Sequence, residues 1–475
     1  VRLSIGGADA TVVREFDISQ KAFVKDGFSL PEAKSNVSWR DRDSLYVGTD
    51  FGKGSLTKSG YPRLIKIWKR GTPLSAAKTI YEAPETSVWA FGGRSFSENG
   101  NIDFVLEGLT AFTSKKYILK KGKLIELKIP VSASFVGIFK KQLLIKLQRD
   151  YTPEKGGKVF TQGSVIIAEL ADLLANKPAF RLLIKPEERM SIGSIRTTKN
   201  YILVTVLDNV VNRLFKYHRN KAGKWMRKEV VIKSNGSLAV FNTNENSDDY
   251  FVNFTNFLTP SGLYMVSGKT DKVQLLKSAP EWFNASPYRV VQYMASSKDG
   301  TKIPYFMIGR KDMKLDGKNP TLMYGYGGFR VSRKPAYSAT VGNAWLKKGG
   351  VYVMTNIRGG GEFGPKWHQA AMKKNKMKSY EDFIAIAEDL IKRKVTSSKY
   401  LAMQGGSNGG LLVGAVMVLR PELFNAVVCN VPLLDMKRYT KLLAGASWAA
   451  EYGDPDKTDM WEYIKTYSPY HNVKK

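Results

Sequence analysis

Gln404-Gly405-Gly406-Ser407-Asn408-Gly409-Gly410 decides the fold. It contains Gly-x-Ser-x-Gly between residues 400–403, which read as a short buried strand, and residues 411–419, an unbroken apolar run that reads as a buried helix. A strand that turns sharply into a helix through small residues exposes the central hydroxyl at the bend, so Ser407 is a candidate nucleophile. A flexible glycine loop and a phosphate cradle are the rival readings. A P-loop needs Lys-Ser/Thr after its last glycine, and Leu411-Leu412 stand there instead.

The neighbouring chain supplies the context that such an elbow needs. Residues 290–294 and 303–308 read as strands flanking Ser297-Lys298-Asp299-Gly300, whose Asp-Gly pair predicts a hairpin. Further strands are predicted at 321–324 and 351–355. A helix follows from Ser379, with Ser379 as N-cap, Asp382 in the first turn, and Phe383, Ile384, Ala387, Leu390 and Ile391 at helical spacing. After the elbow and its helix, residues 424–429 read as another strand. An antiparallel hairpin leading into alternating strands and helices is the order of the first six strands of an α/β-hydrolase, with the serine after the fifth.

Residues 1 to about 280 show strand after strand with almost no helical period. Apolar clusters around positions 39, 89, 135, 195 and 240 recur every 45 to 60 residues. Known propeller blades repeat at roughly 40–50 residues, so this part is predicted to hold five or six four-stranded blades. An array of β-sandwiches is the alternative. Residues 171–175 predict one short helix.

The composition narrows the class further. With 475 residues and 43% apolar content the chain can bury more than one core, and disorder is excluded. No apolar run reaches the length of a bilayer span. The first residues lack a signal-peptide layout and an initiator Met, so the start reads as internal. The single cysteine, Cys429, reads as a small buried hydrophobe rather than a reactive thiol. Lys and Arg number 74 against 42 Asp and Glu, but they are scattered; they predict a solvated basic surface, with weak attraction for acidic peptides or polyanions as the rival.

Four segments carry a family resemblance: Tyr324-Gly325-Tyr326-Gly327-Gly328-Phe329, Asn356-Ile357-Arg358-Gly359-Gly360-Gly361-Glu362-Phe363-Gly364, the elbow itself, and Tyr467-Ser468-Pro469-Tyr470-His471-Asn472-Val473. Together with Leu30-Pro31-Glu32-Ala33-Lys34-Ser35 near the start, they resemble the prolyl oligopeptidases, in which a β-propeller caps an α/β-hydrolase domain. The Asn408 N–H, following the nucleophile, is one predicted oxyanion donor. The resemblance implies the Tyr326 hydroxyl as the second, against the alternative of a tyrosine that merely packs. It also implies a proline pocket in which Trp448 stacks on the ring, Phe329, Leu433 and Tyr452 complete the walls, and Asn408 lies near the substrate carbonyl. Trp448 as ordinary core remains the alternative.

The resemblance implies a serine oligopeptidase that cleaves short peptides on the carboxyl side of proline through an acyl-enzyme on Ser407. Rival readings are a basic-residue oligopeptidase, a dipeptidyl peptidase, an esterase, or a non-catalytic propeller with a degenerate hydrolase. The expected domains are a propeller over 1–280, seven-bladed in the full protein with its first blades missing here, and a hydrolase over 281–475 without its last strands. His471, His368 and His218 read as structural, Asp454, Asp456 and Asp459 as solvated, and Asp435 as an acid only in some hydrolases. The catalytic Asp and His are therefore expected downstream of Lys475, and the chain alone is expected to be inactive. The propeller is expected to act as a size filter. Expected partners are short proline-containing peptides, with no nucleic acid, no membrane insertion and a monomeric state. No metal or cofactor is implied. The expected compartment is the cytoplasm, with the periplasm as the alternative.

Overall fold

Residues 36–278 fold into five successive four-stranded sheets, spanning 36–82, 89–126, 134–184, 190–230 and 237–278. The computed structural model describes residues 1–97, 100–154 and 156–473. Each sheet keeps its strands in chain order, the meander expected of a propeller blade. The five predicted anchors all fall in the first strand of a sheet: Asn36–Asp41, Trp89–Ser95, Ser134–Phe139, Met190–Thr197 and Ser237–Phe241. Tyr250–Thr255 shows why these segments become strands. Tyr250, Val252 and Phe254 point inward and are wholly or almost wholly buried with Leu238, Val240 and Val266. Burying side chains of this size contributes about 1.5–3 kcal/mol each. A three-stranded sheet of Arg2–Leu3, Thr11–Arg14 and Ser29–Ala33 precedes the five. The predicted short helix forms at Leu170–Leu174.

Contacts gather the chain into two compact units. One takes in residues 1–133, 168–179 and 440–450; the other takes in 134–167, 180–439 and 451–475. The first has a core in which Phe28 meets Trp68 edge to face at 4.9 Å, with Val13, Leu30, Leu45 and Val47 around them. The second contains the six-stranded sheet that carries Ser407.

That sheet is built from β1 (Tyr288–Ser296), β2 (Lys302–Arg310), β3 (Thr321–Tyr324), β4 (Val351–Thr355), β5 (Leu401–Gly406) and β6 (Ala426–Asn430). Its order is β1-β2-β4-β3-β5-β6, with β1, β2 and β4 antiparallel in turn and β4, β3, β5 and β6 parallel. Tyr324 pairs with Gln404, so the chain leaves β3 and β5 side by side at their carboxyl ends. Open α/β sheets place ligands at that edge. Helix α1 (Met377–Lys392) buries Tyr380, Phe383, Ile386, Ala387 and Leu390, whereas α2 (Asn408–Leu419) is apolar and largely buried on every side.

Two expectations are corrected. Ser379 is not the N-cap of α1, because the helix begins at Met377. The Ser379 hydroxyl donates instead to the Arg358 carbonyl at 2.8 Å and the Gly327 carbonyl at 3.2 Å, and Asp382 pairs with Arg358 rather than serving the helix start. Cys429 is half-buried, because β6 is the edge of the sheet; its thiol donates to the Gly410 carbonyl at 3.3 Å.

Candidate active site

Ser407 stands between β5 and α2 with φ 58° and ψ −118°, a conformation that costs a non-glycine residue about 1–3 kcal/mol. The surroundings over-determine it. Its N–H donates to the Asn430 carbonyl of β6 at 3.0 Å, and its own carbonyl accepts from Leu411 N–H at 3.1 Å. Gly405 must lack a side chain, since a Cβ there would lie 2.0 Å from the Gly409 carbonyl oxygen. The hydroxyl is thereby left exposed while its neighbours Asn408, Gly409 and Gly410 are buried.

The Tyr326 phenol lies beside the Ser407 side chain. Burial raises the Tyr326 pKa above the usual tyrosine value, while the neighbouring Ser407 side chain and the Arg333 charge pull it back. Asn408 ties the two loops together: its Nδ2 donates to the Tyr326 carbonyl at 2.5 Å, and its Oδ1 accepts from the Tyr452 hydroxyl at 2.8 Å. As the first residue of α2, Asn408 has a backbone N–H that no earlier helical carbonyl satisfies, so it is placed to donate to an oxyanion.

The structure brings together Ser407, Tyr326, Asn408, Tyr452 and Phe329. Phe329 meets Tyr452 edge to face at 5.6 Å and itself holds φ 52°. Leu433 is half-buried in the segment after β6. Trp448, also half-buried, ends the turn Gly445–Trp448 and belongs to the other compact unit, four residues before Tyr452 in the chain.

Beneath this loop lies a polar cluster that sequence reading missed. Glu451, wholly buried, accepts from His368 Nε2 at 2.7 Å, from Lys376 Nζ at 3.1 Å and from the Phe329 N–H at 3.2 Å. Lys376 also donates to the Gly327 carbonyl at 2.9 Å. Burial opposes the Glu451 charge, but the Lys376 ammonium and the His368 hydrogen bond outweigh it and hold the carboxyl below its usual range. Glu451 and Lys376 thus fix the main chain on both sides of Gly328. A buried carboxylate with three donors of this kind clamps a loop; it does not attack a substrate. Arg358 does similar work after β4, binding Asp382 and Asp299.

The three histidines have other engagements. His471 Nδ1 shares a hydrogen bond with Ser468 at 2.8 Å, His368 serves Glu451, and His218 stands edge-on to Tyr201. Asp435 pairs with Arg438 at 2.6 Å, and Asp459 with Lys374 at 2.8 Å. No helix among the described residues is long and apolar enough to cross a membrane.

Blade-like sheets followed by an α/β-hydrolase sheet with a serine at its elbow define the class of propeller-bearing hydrolases. Comparison with known sequences narrows the class. The description "Prolyl oligopeptidase, N-terminal beta-propeller domain" matches residues 1–279, and "Prolyl oligopeptidase family" matches residues 337–475. The chain belongs to the prolyl oligopeptidase family, with an N-terminal β-propeller domain and a C-terminal peptidase domain. It is 43% identical to an uncharacterized peptidase of Sinorhizobium fredii, covering 100% of this chain and 66% of that protein. A prolyl endopeptidase of Elizabethkingia meningoseptica is 41% identical over 59% of this chain and 39% of its own length. The solved structure of a post-proline cleaving enzyme from Rickettsia typhi superposes with a TM-score of 0.93 at 35% identity, covering 100% of this chain and 70% of that one. The chain thus spans about two thirds or less of the curated relatives named here.

Proposed function

We propose that this chain carries the nucleophile, oxyanion hole and part of the substrate pocket of a serine oligopeptidase that cleaves short peptides on the carboxyl side of proline. The observation that carries the reading is the exposed, strained Ser407 at the strand-to-helix elbow, with Tyr326 beside it. Ser407 Oγ loses its proton to a base and bonds to the scissile carbonyl carbon. The carbonyl π electrons move onto oxygen, where Tyr326 O–H and Asn408 N–H receive the charge. Collapse expels the protonated amine and leaves an acyl ester, which water hydrolyses. The proton acceptor is not assigned to any of this chain's three histidines, given their engagements.

The half-buried Phe329 ring supports the proline preference, because a proline ring is apolar and lacks an N–H; Tyr452, wholly buried, backs that ring edge to face and offers no face of its own. The relatives named for post-proline cleavage support the same specificity. The test uses the full-length gene product with a fluorophosphonate probe, then peptide reporters ending in proline, lysine or a simple ester. Labelling of Ser407, lost in Ser407→Ala, and preference for the proline reporter are expected. Labelling elsewhere overturns the nucleophile, and indifference to proline overturns the specificity.

A further inference from the structure

Tyr326 has to hold its phenol at Ser407 from a loop, since β3 ends at Tyr324. One residue supports that loop in a way the reaction scheme above leaves unused. The Arg333 guanidinium carbon lies 4.6 Å from the centre of the Tyr324 ring and 5.7 Å from that of Tyr326. Its backbone is gripped on both sides. The Arg333 N–H donates to Glu362 Oε1 at 2.8 Å, and its carbonyl accepts from Asn356 Nδ2 at 2.7 Å. Both grips are buried, Glu362 and Asn356 being 1% and 0% exposed. An arginine serving only solubility does not require two buried side chains to fix its main chain. Arg333 lines a cavity of about 410 Å³ with no carboxylate among its lining residues, and the two tyrosine rings are the aromatic groups its guanidinium meets.

We propose that Arg333 is a positioning residue for the oxyanion hole, holding its cation against the Tyr326 ring so that the phenol stays at Ser407 and donates more strongly as negative charge develops. The inference rests on the reading of Ser407 as nucleophile and Tyr326 as oxyanion donor. A cation beside an aromatic ring stabilises electron density there. A phenol sharing the charge of an oxyanion has more such density than a phenol in the free enzyme. The cation therefore acts chiefly in the transition state, and its loss falls on kcat rather than KM.

The test measures a peptidyl-proline reporter with the full-length protein as wild type, Arg333→Met, Arg333→Lys and Ser407→Ala. Arg333→Met is expected to lower kcat about threefold to thirtyfold, the range of cation–π energies, with KM nearly unchanged. Because the Arg333 charge pulls the Tyr326 pKa down, its removal is expected to move the alkaline limb of kcat to higher pH. Arg333→Lys, which restores a cation, recovers most of kcat. A methionine variant with wild-type kcat, or a loss that tracks a lowered melting temperature and is not relieved by lysine, overturns the inference while leaving the nucleophile intact. A wild type without turnover dependent on Ser407 overturns both.

Discussion

Glu362 is a buried carboxyl group whose side-chain hydrogen bonds come from a backbone N–H and an amide rather than from a cation, and its chemistry can be followed through pH. Burial pushes its pKa up to about 7, against hydrogen bonds from the Arg333 N–H and Asn356 that favour the charged form. In the unfolded chain the same group titrates near 4.5. The folded state therefore holds a proton that the unfolded state has already released between those two values. The stabilising contribution is complete below about pH 4.5 and is lost as pH rises towards 7 and beyond, by about 3 kcal/mol in all. Glu362→Gln keeps the acceptor for the Arg333 N–H and cannot ionise. Urea unfolding at pH 5 and pH 8 should show the variant gaining on the wild type by an amount of that order; a difference that stays constant with pH would sink the assignment. Little of this was legible beforehand. The nucleophile could be read because its signal is local, five residues long and flanked by apolar runs. The Glu451, Lys376 and His368 cluster is drawn from positions as much as 83 residues apart, with no spacing to mark it. Arg333 looked like any basic loop residue until its ring partners were placed.

Elements were legible where one periodicity ruled and misread where two structures competed for the same residue. The blade anchors were found because an apolar first strand recurs whatever the turns between strands contain, even where its anchor, as at Trp39 and Phe135, is itself exposed. The start of α1 was misplaced because Ser379 has the chemistry of a cap, while its hydroxyl is taken up by the loops after β3 and β4. The elbow offers a sharper test of what an element demands. Gly405 and Gly406 are neighbours in β5, yet a Cβ at 405 would meet the Gly409 carbonyl at 2.0 Å, and one at 406 would find nothing nearer than Asn430 Cβ at 3.6 Å. Gly405→Ala must push the first turn of α2 away from the strand and is expected to cost about 1–3 kcal/mol or more. It should also abolish Ser407 labelling, since the strained φ and ψ depend on that approach. Gly406→Ala should stay within about 0.5 kcal/mol of wild type. Thermal unfolding with probe labelling separates the two, and equal behaviour would show that the elbow does not depend on this contact.

For the whole molecule the governing quantity is charge. Even if every Asp and Glu found a partner, 74 cations against 42 anions would leave 32 cations without one. Composition shows that excess, but not which lysines pair and which stand alone. Exposed pairs such as Lys374–Asp459 and Arg310–Asp312 contribute about 0–1 kcal/mol each and weaken as salt is added. The unmatched cations act in the opposite sense. At about 0.01 M salt the screening length is roughly 30 Å, so each of them repels many others across the folded chain, and unfolding relieves that repulsion. At 15 Å a single pair of like charges in water costs only about 0.3 kcal/mol, yet 32 excess charges form hundreds of such pairs. The many weak repulsions should outweigh the few weak attractions. The melting temperature is accordingly expected to rise between about 10 mM and 150 mM sodium chloride, most steeply at the low end, where screening changes fastest. Differential scanning calorimetry at fixed pH measures it directly. A melting temperature that falls over the same range would mean that local ion pairs, rather than the net charge, set the electrostatic stability of the fold.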